Sequence, residues 1–488
     1  MHKTFYARLP IKSLKSSTLS IAPLLAMLLA GCAFNPSSSL PVMDLPASAS
    51  VLKSAKSDQP ENQAQLQSNW WEQFNDSVLN QLIADADQSN QNLAQVTARL
   101  DEARAVFGIT SSAQLPRIDL AAAGSTSRQS ENLGRAVSNP NKDYQLVGQA
   151  SWELDLWGRV RNASNAARQD LFAAEYNRDA ALLSLHAEVA QNYFNLRALD
   201  EQLKIAEDTV KSRQESYDLQ QKRFLGGVTS ELDVRQAEVE LASTLSALPD
   251  LKQSIAQLEA ALSILSGQAP RALIEHGIER GKTIPDLRVA DPVPAQLSSD
   301  LLLRRADIAQ AEANLLAARA RIEAARAAYF PKISLTGLLG FESNDLGKLF
   351  STGSNISSFV GNLSMPLFDN GMTAAQVDQA KARERQAAAV YQLAVQNAFS
   401  ETRTSIISNQ VLGEKVLNEK TKVYALQRQL RLANLRYENG YSSYLEALDA
   451  QRSLFNAQLS LISAQRNQIN ARVELYKSLG GGWQRAAQ

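Results

Sequence analysis

The chain has 488 residues, with 50 basic and 50 acidic side chains, one cysteine and three histidines. Zero net charge leaves no general footprint for nucleic acid, one cysteine excludes a disulfide framework, and His2, His186 and His276 form no metal-ligand cluster. Only 22 Gly and 15 Pro, beside abundant Ala, Leu, Gln, Arg and Glu, favour long helices.

The first 31 residues read as a processing segment. Lys3, Arg8, Lys12 and Lys15 precede an apolar run from about Leu19 to Ala30, which closes on Leu29-Ala30-Gly31-Cys32. That ending resembles a bacterial lipoprotein signal, which makes Cys32 the lipidated N-terminus of the exported chain. The alternative is an incidental thiol in an uncleaved anchor. Removing the segment leaves 46 basic against 50 acidic residues, a net of −4. Ala33 resembles the residue that permits outer-membrane sorting. No later stretch offers the ~20 uncharged apolar residues of a membrane helix, so any crossing must use strands.

A Pro/Ser-rich leader (32–68) precedes a first repeat, 69–267. Its helical pattern begins near Asn69-Trp70-Trp71 and runs from about Ser77 to Ser112. The period then changes to two. Ile118, Leu120, Ala122 and Gly124 alternate with polar or small residues, and after the loop Ser125–Asn141 a second run alternates from Leu146 to Leu156. This predicts a hairpin over 117–157 whose strands match outer-membrane barrel strands in length. A soluble hairpin packed on helices is the other reading.

A helix follows from about Arg159 to Phe224, with Leu196, Leu199, Leu203, Ala206 and Val210 at heptad spacing, continuing to Tyr217 and Phe224. About 66 residues span on the order of 100 Å. After a tip at Gly226 and Gly227 a shorter helix returns over Glu231–Ser266. Pro249 lies inside it and is expected to kink or interrupt it.

Residues 268–297, rich in Pro and Gly, read as a linker and equatorial belt. The second repeat, 298–479, then restates the first. A helix over Ser298–Ala328 leads to a hairpin over 332–368, with one strand alternating through Ile333–Phe341 and another through Phe359–Leu367. Leu412, Val416, Val423, Leu426, Leu430, Ala433 and Tyr437 keep the first seam's phase after a 213-residue shift. A tip at Asn439-Gly440 and a returning helix over Tyr444–Leu479 complete it, and 480–488 is a tail. Arg223-Phe224-Leu225-Gly226-Gly227 and Arg436-Tyr437-Glu438-Asn439-Gly440 show the duplication directly.

Four strands cannot close a barrel, and open edges in lipid strand backbone groups at several kcal/mol each. Three copies supply twelve. The expected fold is therefore mixed: a membrane β-barrel and an α-helical barrel, with two internal repeats per chain and a trimer forming a twelve-stranded outer-membrane barrel and a long coiled-coil tunnel.

These motifs resemble the TolC-like outer-membrane factors, in the lipoprotein branch of efflux systems (NodT type). The resemblance rests on Leu301-Leu302-Leu303-Arg304-Arg305-Ala306-Asp307-Ile308, on Ala328-Tyr329-Phe330-Pro331-Lys332-Ile333, and on Trp152-Glu153-Leu154-Asp155-Leu156-Trp157-Gly158-Arg159. Pro366-Leu367-Phe368-Asp369-Asn370-Gly371 and Leu448-Asp449-Ala450-Gln451-Arg452 extend it. Ala306 departs from the proline usual there. The resemblance implies a homotrimeric, non-catalytic exit duct, with no cofactor beyond the lipid on Cys32. Its implied partners are outer-membrane lipids, a periplasmic membrane-fusion adaptor and an inner-membrane transporter, most simply of RND type.

The resemblance also implies a periplasmic gate at Leu445, Asp449 and Arg452. They share one helical face, and threefold symmetry turns each into a ring; a solvated Asp/Arg pair is the plainer reading. Gly226, Gly227, Val228, Thr229 and Ser230, with Gly440, Tyr441, Ser442 and Ser443, are the implied adaptor-docking tips. Tight-turn geometry alone also explains their glycines. A protein-secretion conduit, or a non-channel structural lipoprotein bridging the periplasm, are the alternative functions. His186 is expected to be a packing or helix-surface residue.

Overall fold

The computed structural model describes residues 40–41, 69–128, 130, 132, 140–275, 277–287 and 305–483. Cys32, nearly all of the leader, and the end of the expected belt lie outside the described residues. The chain divides into two compact units that cut across the repeats. One gathers Ala113–Ala163 and Ile322–Val377, the other Ser37–Ser112, Ser164–Arg321 and Asp378–Gln488.

The first unit is a four-stranded antiparallel sheet in the order β1 (Arg117–Ser127), β2 (Asn141–Leu154), β3 (Lys332–Ser343), β4 (Asn355–Ser364). The repeats are joined because β2 pairs with β3, Ala150 opposite Gly337 and Trp152 opposite Leu335. Register aligns the alternating residues of all four strands. Ile118 lies opposite Ala150, Leu120 opposite Gly148, and Gly337 opposite Phe359. One face is thus mostly apolar, interrupted on β4 by Ser357 and Asn355, while Gln149, Ser151, Ser334, Thr336 and Asn362 mark the other.

Five residues of the apolar face, Ile118, Leu120, Leu339, Phe359 and Leu363, are 65–79% exposed. Leaving five such side chains in water costs on the order of 10 kcal/mol, comparable to a domain's whole stability. The sheet is built for lipid. β2 begins at Asn141, earlier than the alternating run, and β4 stops at Ser364 rather than Leu367. Pro366 has no N–H to give a ladder.

Each hairpin turns into a helix at an Asp-bearing corner. Asp155 accepts from the N–H groups of Val160 (3.0 Å) and Arg161 (2.7 Å), behind Gly158 at φ 78°. Asp369 accepts from Thr373 N (2.9 Å) behind Gly371 at φ 84°. Both carboxylates cap helix N-termini, where orphan donors and the helix dipole favour them.

The helical unit contains α1 (Ser77–Ser89), α2 (Gln91–Ser112), α3 (Arg159–Leu225), α4 (Glu231–Leu265), α5 (Pro270–Glu275), α6 (Ala306–Arg326), α7 (Met372–Glu438) and α8 (Tyr444–Ser478). α3 and α7, which start in the sheet unit, are each 67 residues long, and α4 and α8 are each 35. Four helices end alike. Gly227, Gly267, Gly440 and Gly480 adopt positive φ, and the next N–H reaches back, as in Val228 N to Arg223 O and Tyr441 N to Arg436 O. This is the Schellman closure, which satisfies the last carbonyls.

The expected single helix from Ser77 to Ser112 is two. Asn90 leaves helical geometry, its Oδ1 accepts from Leu93 N (2.9 Å) and its Nδ2 donates to Leu265 O (2.9 Å). A Cβ on Gly267 would meet Ser89 O at 2.2 Å, so only glycine lets the α4 end close on the break. Pro249 does not interrupt α4, which runs through it. Its exposed position leaves the unpaired carbonyl of the preceding turn to water.

The main core joins Trp70, Phe74, Leu79 and Ile83 to Tyr193, Phe194 and Leu196 of α3, and to Leu262, Ile284, Ile469 and Val473. Asp76 sits beneath it, buried. Its carboxylate accepts from Val78 N (3.0 Å), Leu79 N (3.3 Å), Tyr193 Oη (2.8 Å) and Lys282 N (2.9 Å). A Cβ on Gly281 would strike Asp76 Oδ1 at 2.1 Å. Burial and then the Asp76 carboxylate push the Tyr193 phenol up. His186 packs on Trp71 and pairs with Asp87 at 2.6 Å, as a packing residue. Trp483 donates to Asp179 (2.9 Å) and meets Tyr176 edge to face.

Asp76→Ala should lower stability by about 3 kcal/mol, since it removes a cap and the acceptor of a buried phenol's proton. Asp76→Asn should cost less. Thermal unfolding followed by circular dichroism checks the order.

Candidate functional site

Continuing the 3-4 count of the α3 seam past Val210 reaches Arg213, then Tyr217, then Gln220. Both polar residues are buried. At the same seam positions α7 carries Leu426 and Ala433. Charge inside a coiled-coil seam requires partners, and the first repeat's returning helix provides them. Arg213 Nη1 donates to Glu240 O (2.7 Å) and to Thr244 Oγ1, and lies 3.1 Å from Glu240 Oε2. Its guanidinium also covers the Phe455 ring at 5.3 Å. Gln220 accepts from Tyr437 Oη (3.0 Å).

Glu240 is shared. Its Oε1 accepts from Arg452 Nε at 3.1 Å and also from Arg452 Nη2. One buried carboxylate thus holds a buried arginine of α3 and an exposed arginine of α8. Burial pulls the Arg213 guanidinium below its ordinary value; Glu240 opposes this and Arg452 adds to it. Hydrogen bonding to Glu240 raises Arg452, with Asp449 adding a smaller pull.

Leu445, Asp449 and Arg452 lie on one exposed face of α8. The flanking face, with Tyr444, Ala447 and Leu448, packs on Ala237, Tyr217 and Tyr437. Leu445 and Asp449 are thus left outside the chain's own packing, while Arg452 reaches back to Glu240. Arg452 bonds Glu240, and Asp449 acts on it through space. Glu240 and Arg213 are functional candidates absent from the expected gate set, which lay wholly on α8. A polar residue at a seam position was the available signal.

The two tips adjoin. Arg223 covers the Tyr437 ring at 5.2 Å, and a cleft of about 720 Å³ is lined by Arg223, Thr229, Asp233, Tyr437, Ser443 and Tyr444. Only the first tip has a capping box, between Ser230 and Asp233, with Thr229 also on Asp233. At the second, Ser443 caps without its side chain and Glu446 turns to Arg436 at 3.2 Å. Ser442 Oγ and Tyr444 Oη are buried without a hydrogen-bond partner among the described residues, and burial pushes the Tyr444 phenol up to about 12. Val228 and Tyr441 project into solvent. Among the described residues no group of acidic, His or Cys side chains could hold a metal ion.

Glu240→Ala should destabilise by about 3–5 kcal/mol, because it strands buried Arg213. Arg213→Leu with Glu240→Leu, which restores an apolar seam, should cost far less than the sum of the single changes. A double-mutant cycle in denaturant unfolding measures the coupling.

Compared with known proteins, the chain matches the model of the outer membrane efflux protein family over residues 82–268 and 297–481. It is 34% identical over 461 residues to the cation efflux system protein CusC of Escherichia coli O157:H7, covering 94% of this chain and 98% of that one. It is 33% identical to the probable outer membrane lipoprotein SilC of Salmonella typhimurium, covering 96% and 99%. The crystal structure of the CmeC outer membrane channel of Campylobacter jejuni superposes with a TM-score of 0.88 at 27% identity, covering 94% and 96%.

Proposed function

The chain belongs to the outer membrane efflux protein family, and we propose on that premise how its exit duct is closed, opened and coupled. It is the outer-membrane channel of an efflux system. The observation that carries the fuller reading is the sheet, mostly apolar on one exposed face and, among the described residues, unpaired along the outer edges of β1 and β4. Edge pairing of β4 with β1 of the next copy gives a closed homotrimeric barrel of twelve strands, and the 67-residue helices continue it as a tunnel. Solutes pass through passively. An inner-membrane pump supplies the energy, of RND type by the motif set shared with the efflux branch, and a periplasmic adaptor connects the two. Cys32 carries the lipid anchor.

Leu445, Asp449 and Arg452 form the gate. Their exposed face on α8 supports this, since threefold symmetry gathers each residue into a ring. Three facing carboxylates repel unless cations stand near, and Arg452 stands near. Glu240 fixes Arg452 to the first repeat, so the closed tip is tied to the seam through Arg213. The tips Gly226–Ser230 and Gly440–Ser443 dock the adaptor. The exposed Val228 and Tyr441 support that surface.

Purified protein should conduct in planar bilayers, and Asp449→Ala and Arg452→Ala should each raise the single-channel conductance severalfold. Unchanged conductance in both sinks the gate, and no conductance at all sinks the channel. A photo-cross-linker at Ser230 or Ser443 should capture an adaptor in cells; capture at neither position removes the docking assignment. Cys32→Ser should abolish incorporation of labelled palmitate.

A further inference from the structure

The loop between β3 and β4 stands at the strand ends opposite those that lead to the helices. It is folded rather than loose. Asp345 Oδ1 accepts from Gly347 N (3.0 Å), Ser354 Oγ donates to Lys348 O (2.7 Å), and Glu342 N donates to Ser354 O (2.8 Å). Leu349 is buried beneath it. This bracing nevertheless presents two large apolar side chains, Leu346 at 62% and Phe350 at 69% exposure, on either side of Lys348.

The direction in which the loop leans is fixed by one contact. Phe350 meets Phe341 edge to face, with ring centroids 5.3 Å apart. Phe341 belongs to the apolar face with Ile333, Leu335 and Leu339, whereas Glu342 and Thr336 belong to the polar one. The loop therefore folds over the apolar side and not across the end of the polar side.

We propose that this loop is an interfacial anchor in the outer leaflet. Leu346 and Phe350 enter the boundary between acyl chains and headgroups, and Lys348 meets headgroup phosphates. The proposal rests on the reading of the sheet as part of a lipid-facing barrel. Continuity decides the occupant: Phe350 extends the apolar face through Phe341, exposed Leu346 stands on the same braced loop, and an aromatic side chain near a lysine suits the membrane–water interface. A second consequence is that this loop does not roof the pore.

The test places a bimane label on Leu346→Cys, Leu339→Cys or Glu342→Cys, one at a time. The full chain is reconstituted in phosphatidylethanolamine/phosphatidylglycerol vesicles, with the unsubstituted chain as labelling blank. Quenching by nitroxide lipids labelled near the headgroup is compared with quenching by iodide. At position 346 lipid quenching should exceed iodide quenching at least twofold, at 339 lipid should dominate, and at 342 iodide should dominate. Iodide access at 346, or protection there from both quenchers as a neighbouring subunit would give, overturns the anchor while leaving the sheet reading intact. Failure of lipid to quench at 339 overturns the sheet reading and the anchor with it.

Discussion

A backbone amide inside a bilayer must find its hydrogen bond within protein, and most of this molecule follows from that requirement. The described residues make four strands, pair the inner two across the repeat boundary, and leave β1 and β4 each with a free edge. Under the proposed trimer, neighbouring copies supply the missing partners. The duplication serves the same end. Each hairpin alone has two free edges, whereas the β2–β3 ladder removes one edge from each. The compact units accordingly group hairpin with hairpin and helices with helices, rather than first repeat with second.

The long helices and the returning helices of the two repeats match in length and in their glycine closures, yet they differ where polar residues enter the seam. Arg213 and Gln220 stand where α7 has Leu426 and Ala433, and Glu240 stands where α8 has Ser453. A buried pair such as Arg213–Glu240 is weak evidence for stability, because desolvation offsets much of the attraction. Its value lies in register. Glu240 reaches both arginines in this alignment of α3, α4 and α8, and a shift of one helix by a turn would part it from one of them. The first repeat is thus no plain wall; it holds the carboxylate that the second repeat's arginine needs.

Much of this was legible in the residues, because period-two alternation and heptads are local signals. Ile118–Gly124 and Ile333–Phe341 announce their strands, and Gly227 and Gly440 announce their helix ends. The break at Asn90 was not legible. Its surroundings read as helix, and the partner that fixes it, Leu265, is 175 residues away. Pro249 misled for the opposite reason: a local rule predicted damage, but the unpaired carbonyl faces water. Around the candidate gate, the exposed α8 face followed from spacing. Glu240 did not, because its role depends on which helices lie side by side.

The seam between α3 and its neighbours changes character along its length. It is closed by Leu196 and Ala206 near the main core, and by Arg213 and Gln220 nearer the tip. Apolar contacts lose free energy in proportion to the area uncovered, whereas a buried ion pair regains its hydration as solvent enters, which offsets much of the attraction lost. Separation of the helices is therefore cheapest along the Arg213–Gln220 stretch, and the Leu196–Ala206 stretch is the part that resists it.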